Sequence, residues 1–415
     1  MPGVHENNHS NVCSSIVGRC LRLGAVSTAL VKRAFRYRFY PTESQAAQLS
    51  RTFGCVRLVY NKALEARTTA WNEQQRRVGH AESSTLLTGW KHTQELAFLN
   101  EVSSVPLQQC LRHLQTAFTG FFDKRANYPR FKSRKKSRAS AEYTRSGFRY
   151  RDGRLTLAKM TEPLNIRWSR PLPEGAQPST VTVSRDPAGR WHVSILVQTT
   201  VARLPTSDAD VGIDVGLSSL FTLSRPIPGL TDDNGKVSNQ RHEQRERVAL
   251  AKAQCSLARK REGSNNRAKA RIAVARIHAR IVDRRRDVLH QVSTRLVREN
   301  QTIVVEDHLA VANMIRNRSL ARAISDASWS QFRAMLEYKA EWRGRTVIAV
   351  DRWLPSSKTC SKCGRVKASM PLGERTLRCD QCPLVLDRDI NAARNILAAG
   401  RAVTACGAGV RPTRR

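Results

Sequence analysis

The sequence predicts a multidomain α+β protein: a small wedge-like β-barrel into which a helical bundle is inserted, then an open α/β domain with a four-cysteine insert. Three observations predict it. The stretch Ala34-Phe-Arg-Tyr-Arg-Phe-Tyr40 alternates rings and cations, then gives way to helical periodicity and later to short strands. Two apolar strands, at 210–214 and 302–307, each run into carboxylates. Two Cys-x-x-Cys pairs precede the last helix. With 415 residues, 40% of them apolar, the chain is long enough for two or three cores.

Charge narrows the function before any motif does. There are 71 Lys plus Arg against 34 Asp plus Glu, a formal net charge of +37 and a pI near 11. Solubility of a small domain calls for a net charge of only about 2 to 8. An ordinary metabolic enzyme has no use for this excess, and nucleic acid is the partner it implies. No apolar run approaches the ~20 residues that span a bilayer. The nearest, Leu21 to Val31, is broken by Arg22, Gly24 and Ser27, so no membrane partner is expected. Cys13, Cys20, Cys55, Cys110, Cys255 and Cys406 show no metal spacing. As reduced thiols they point to a cytoplasmic protein.

Residues 1–32 lack a sustained period and read as a disordered leader. In the strand that follows, Arg36 and Arg38 share one face and the rings the other, until Pro41 ends it. Thr42-x-x-Gln45 is a capping box opening a helix through Phe53, Val56, Val59, Tyr60 and Leu64. A second helix covers roughly 84–100. A third follows Ser104-Val-Pro106, with Leu107, Cys110, Leu111, Leu114, Phe118, Phe121 and Phe122 as its apolar stripe, read as core. These three form the bundle, residues 42–125. From 124 to 151 there are eleven basic residues and one acid, Glu142, with Tyr128, Phe131, Tyr143, Phe148 and Tyr150 interleaved. Such an irregular segment suits nucleic acid, cations for phosphates and rings for bases; a solvated linker is the alternative. Its candidate contacts are Tyr128, Arg130, Phe131, Lys132, Arg134, Lys135 and Lys136, besides Arg36 and Arg38. Strands at 154–158, 164–168, 180–185 and 191–198 complete a barrel made of residues 33–41 and 126–203.

The α/β domain comprises 208–359 and 383–399. Asp210 to Ser224 reads as a buried strand, a glycine turn and a returning strand; Asp214 inside it needs an ion pair or a cation. Helices at 243–262 and 266–299 precede the strand Thr302 to Asp307, a helix at 328–343 and a strand at 346–350. That order is RNase H-like, with a third strand missing because 225–242 offers no clear candidate. Cys360, Cys363, Cys379 and Cys382 form two knuckles fifteen residues apart, the spacing of a closed, structural Zn²⁺ site in a 360–382 insert; buried thiols or disulfides are the alternatives. Leu386 onward begins the last helix, with Asp387 as N-cap and Asp389 in the first turn, and 400–415 reads as a flexible tail. Asp214, Glu306 and Asp389 then converge at one sheet edge as oxygen ligands for two catalytic Mg²⁺ ions, which in such sites activate a water and stabilise the leaving oxygen of a phosphodiester. Glu306 is preferred to Asp307 because strand neighbours face opposite sides.

Seven stretches, YRFYPTESQAAQLSRTFGCVRLVYN, YPRFKSRKK, GIDVGLSSL, VVEDHLAVANM, LARAISDASWSQFRAMLEYKAEWRG, PSSKTCSKCG and DRDINAARNIL, together resemble the transposon-encoded OrfB/TnpB proteins, relatives of the type V CRISPR effectors. The resemblance covers residues 37–397. It implies an RNA-guided DNA endonuclease with a RuvC-like domain, a guide RNA derived from the transposon end, a double-stranded DNA target beside a short adjacent motif, and a partner transposase encoded by the same element. Asp214, Glu306 and Asp389 then resemble its catalytic acids, and the four cysteines its zinc ligands. The intact triad weighs against an RNA-guided DNA-binding regulator that does not cut; a compact type V CRISPR effector is the other alternative.

Overall fold

The computed structural model describes residues 28–135, 137–307, 318–351, 353–371 and 373–405. Lys136 lies outside these residues, as do 1–27, the end of the VVEDHLAVANM stretch and 406–415.

Strand β1 is Thr28–Phe39. Its first five residues therefore fall within the expected leader: Thr28 to Lys32 pair antiparallel with Ala202 to Gln198. The expected alternation holds, with Phe35, Tyr37 and Phe39 buried. Helix α1 (Glu43–Gln74) opens with the capping box, the Gln45 N–H donating to Thr42 Oγ1 at 3.3 Å and the Thr42 N–H to Gln45 Oε1 at 3.2 Å. Helices α2 (His80–His92) and α3 (Ser104–Phe122) join it around a core of Leu64, Leu87, Leu107, Leu111 and Leu114.

The basic stretch after α3 is not irregular throughout. Ala139–Thr144 forms β2 and Phe148–Arg151 forms β3, because Ala141 and Tyr143 alternate into the core while polar neighbours face out. Strands β4 (Arg154–Leu157), β5 (Ile166–Arg167), β6 (Pro178–Arg185) and β7 (Trp191–Ala202) follow. The main ladder is an open five-stranded sheet, β2-β6-β7-β1-β5, and β3–β4 is a separate hairpin. Leu155 and Leu157 of that hairpin join Phe35, Tyr37, Val183, Val193 and Ile195 in one core. The two pieces thus enclose the core through side chains, with no ladder between them among the described residues.

The second sheet has the order β10-β9-β8-β11-β12, made of β8 (Asp210–Val215), β9 (Ser219–Leu223), β10 (Lys236–Ser238), β11 (Thr302–Glu306) and β12 (Thr346–Val350). Strands β8, β11 and β12 are parallel, while β9 is antiparallel to both its neighbours, β8 and β10. The strand missing from the sequence reading is β10. Three residues carry no readable period, and the turn before it hides it: Asp232 Oδ1 accepts from the N–H groups of Asn234 and Lys236, and Gly235 takes φ +71°. Helices α4 (His242–Ala258) and α5 (Asn265–Glu299) form a hairpin. A short α6 (Ala321–Ala327), not expected from the sequence, leads into α7 (Trp329–Arg343).

One face of this sheet packs on α5 and α7 through Val211, Ile213, Ile303, Val305, Leu289, Leu296 and Leu336, with Phe221 stacked on Phe332 at 3.9 Å. The other packs on α8 (Arg388–Ala405) through Val304, Ile348, Val350 and Ile396. Helix α8 therefore runs into the segment expected as a tail, and Gly400 is buried against Val304. Between β12 and α8 the cysteine insert adds β13 (Thr376–Arg378) and β14 (Val385–Asp387).

Candidate active site and metal centre

Strand period decides which side chains meet. Val211 and Ile213 point to the α5/α7 side, so Gly212 and Asp214 point to α8. Helix α8 crosses so closely there that a Cβ on Gly212 would lie 2.2 Å from the Ala393 carbonyl oxygen. Strand β11 repeats this: Ile303 and Val305 join the first core and Val304 the second, which turns Glu306 toward α8. Val305 pairs with Ile213, so Asp214 and Glu306 end neighbouring strands side by side, and Asp389 stands in the first turn of α8. Asp307 goes the opposite way, to an ion pair with Arg333 of α7.

The electrostatics follow from this convergence. Burial, then the charges of Glu306 and Asp389, push the Asp214 carboxyl well above its usual range, against the pull of Arg388. Burial also raises Glu306, opposed by a 2.7 Å hydrogen bond donated by the Ser356 hydroxyl. Arg388 Nε lies 3.5 Å from Asp389 Oδ1 and Arg375 Nη1 3.9 Å from Asp389 Oδ2. Asp387 has a different task. Its Oδ1 accepts from the N–H groups of Asp389 (2.9 Å) and Ile390 (3.2 Å), and Lys236 pairs with its other oxygen at 2.6 Å. Against burial, Lys236 and these N–H donors hold its carboxyl below the usual range. Two neighbouring carboxylates raise the proton affinity of the buried Asp214 despite the pull of Arg388. Hard oxygen donors in that state fit a divalent cation.

Three family models match: "Helix-turn-helix domain" over residues 29–76, "Probable transposase" (OrfB_IS605) over 192–318, and "Cas12f1-like, TNB domain" over 329–396. A "Putative RNA-guided DNA endonuclease" of Streptomyces pristinaespiralis is 64% identical over 92% of this chain and 93% of its own. The chain belongs to the OrfB/TnpB family. InsQ of Escherichia coli K12, which carries the same description, is 33% identical to this family member over 90% of this chain and 94% of its own. Among solved structures, that of a Cas12f1–sgRNA–target DNA complex matches the fold at a TM-score of 0.52 and 12% identity, covering 88% of this chain and 98% of the other.

The second centre of this TnpB-family chain is the cysteine knuckle. The Sγ atoms of Cys360, Cys363, Cys379 and Cys382 all lie within 4.8 Å of one another, with Cys360–Cys382 at 3.6 Å and Cys363–Cys379 at 3.5 Å. A tetrahedron of Zn–S bonds of about 2.3 Å has edges of ~3.8 Å, so the set fits zinc; all four thiols are free of disulfides. Gly364, at φ +77°, closes the first knuckle by donating its N–H to the Cys360 carbonyl. In the second, the Gln381 N–H donates to Cys379 Sγ at 3.4 Å, and backbone donors hold that thiol down at about 6.

The candidate nucleic-acid contacts fall in two places. Arg36 and Arg38 line a cavity of about 1150 Å³ between the first sheet and α5/α7, together with Arg167, Arg170, Arg286, Arg298 and Arg343. Sequence reasoning missed these five; they come from β5, the loop after it, α5 and α7, and only the fold gathers them. Tyr128, Arg130, Phe131, Arg134 and Lys135 are instead exposed on the loop after α3. Lys132 is half-buried, its Nζ 3.7 Å over the Tyr60 ring and its backbone hydrogen-bonded both ways to Asn61, a role in anchoring the loop.

Proposed function

We propose that this chain is an RNA-guided DNA endonuclease whose second lobe is a RuvC-like, RNase H-type nuclease with Asp214, Glu306 and Asp389 as its metal-binding catalytic acids. The observation that carries the reading is their convergence where β8, β11 and the start of α8 meet. Held by these three carboxylates, two Mg²⁺ ions would supply an activated water and charge stabilisation for the leaving 3′ oxygen. The chain's own part is to hold three carboxylates on rigid elements, with Arg375 and Arg388 beside Asp389 to offset phosphate charge. The barrel-like lobe (33–41 and 126–203), the bundle (42–125) and the arginine cavity grip the guide RNA, made from the transposon end, and the double-stranded target beside its adjacent motif. The cysteine insert holds a structural Zn²⁺. A transposase from the same element is the expected partner in transposition.

The test is guided cleavage of duplex DNA in Mg²⁺ by Asp214→Ala, Glu306→Ala and Asp389→Ala. Each should abolish cutting and leave RNA and target affinity near the parent value, because the carboxylates serve the ions rather than the grip. Parental cleavage rates in any of the three would remove that residue from the assignment.

A further inference from the structure

Helix α8 does more than present Asp389. Two turns of it carry Asn391 and Asn395, four residues apart and therefore on one face. Asn391 is fully buried; its Nδ2 donates to the Thr359 carbonyl at 2.7 Å, and its Oδ1 accepts the Ser361 N–H at 2.9 Å, inside the first cysteine knuckle. Asn395 Nδ2 reaches the carbonyls of Ser356 (2.7 Å) and Thr359 (2.6 Å). The turn clasped in this way carries the Ser356 side chain, buried and donating its hydroxyl to Glu306 Oε1 at 2.7 Å. A serine hydroxyl has one proton to give, and here it fixes one oxygen of a flexible carboxylate.

We propose that Ser356, locked by Asn391 and Asn395, is the positioning residue that sets the Glu306 carboxylate for a divalent cation, so that the cysteine knuckle and the carboxylate cluster share one scaffold. The proposal rests on the reading of Glu306 as a metal ligand. Donors behind a ligating carboxylate orient it and tune its basicity, and their loss typically weakens metal binding or activity about 10- to 100-fold. Sequence distance hides this link, since Ser356 lies fifty positions from Glu306.

The experiment titrates the full-length protein, as it purifies from cells, with Mn²⁺ by calorimetry, and measures the Mg²⁺ concentration for half-maximal cleavage. Ser356→Ala should bind Mn²⁺ about 10- to 100-fold more weakly and need correspondingly more Mg²⁺. Its zinc content and target affinity should stay those of the parent. Ser356→Thr, which keeps the hydroxyl, should recover most of the loss, a rescue that a purely structural role does not predict. Asn395→Ala should shift Mn²⁺ affinity in the same direction, and it carries the test if Ser356→Ala fails to fold. Parental Mn²⁺ affinity in a folded Ser356→Ala or in Asn395→Ala, or no rescue by threonine, overturns the proposal. Glu306→Gln separates the two readings: if it cleaves normally, the assignment of Glu306 falls; if it is inactive while Ser356→Ala is normal, only the positioning role falls.

Discussion

Asp387 and Asp389 stand two residues apart and do unlike things. Asp387 spends its oxygens on two helix N–H groups and on Lys236, whereas Asp389 faces the cluster that raises Asp214. We expect Asp387→Ala to cost about 0.5–2 kcal/mol of folding stability through the lost cap, with slowed but measurable cleavage, while Asp389→Ala leaves none. Chemical denaturation beside single-turnover cleavage checks both; complete inactivity of a folded Asp387→Ala protein would contradict the division. This distinction is legible in the sequence because cap position and strand alternation are local rules. So is the preference for Glu306, since Asp307 turns to Arg333. The Ser356 hydroxyl is not legible: nothing near it marks a serine that meets a carboxylate across the sheet edge.

At the scale of elements, the parts that carry a period are the parts that can be read. The α3 stripe repeats at 3.6 residues, the α1 capping box is a fixed spacing, and β8 and β11 are apolar runs that end in carboxylates, each long enough to stand out. Strand β2 hides among lysines and arginines because only alternate residues, Ala141 and Tyr143, are core. Strand β10 is three residues long. The packing of α8 on the sheet is fixed by something simpler, the absence of a side chain at Gly212. A Cβ there meets helix backbone, which cannot swing aside. Gly212→Ala should therefore cost at least the ~1–3 kcal/mol of an overpacked core and displace α8, carrying Asp389 with it. A urea midpoint equal to the parent's, together with parental cleavage, would show that the helix gives way more easily than this geometry allows.

Across the whole molecule, one lobe meets the other along a cavity walled by arginines from both. Among the described residues, direct ties between the lobes include the Arg190–Asp283 pair, the Arg343 side chain donating to the Ala202 carbonyl, and Arg33 over the Trp342 ring. A polyanion lying there would neutralise mutual repulsion while it binds. RNA affinity should accordingly fall by roughly 10³ to 10⁵ between 50 and 200 mM salt if about six to ten phosphates are engaged. Arg286→Ala with Arg298→Ala should lower the log–log slope by about two; an unchanged slope in filter binding would place the RNA elsewhere. The net charge makes the partner class legible from composition alone, but the cavity is assembled from residues more than two hundred positions apart and no local pattern announces it. The route of the chain also sets an order of events at the ribosome. The first lobe is complete at Ala202, whereas the carboxylate cluster waits for α8 and Asp389. At a synthesis rate of about 5–20 residues per second, the nascent chain exposes its basic lobe roughly ten to forty seconds before the last carboxylate of the cluster emerges, so a polyanion could reach that lobe before the cluster is complete.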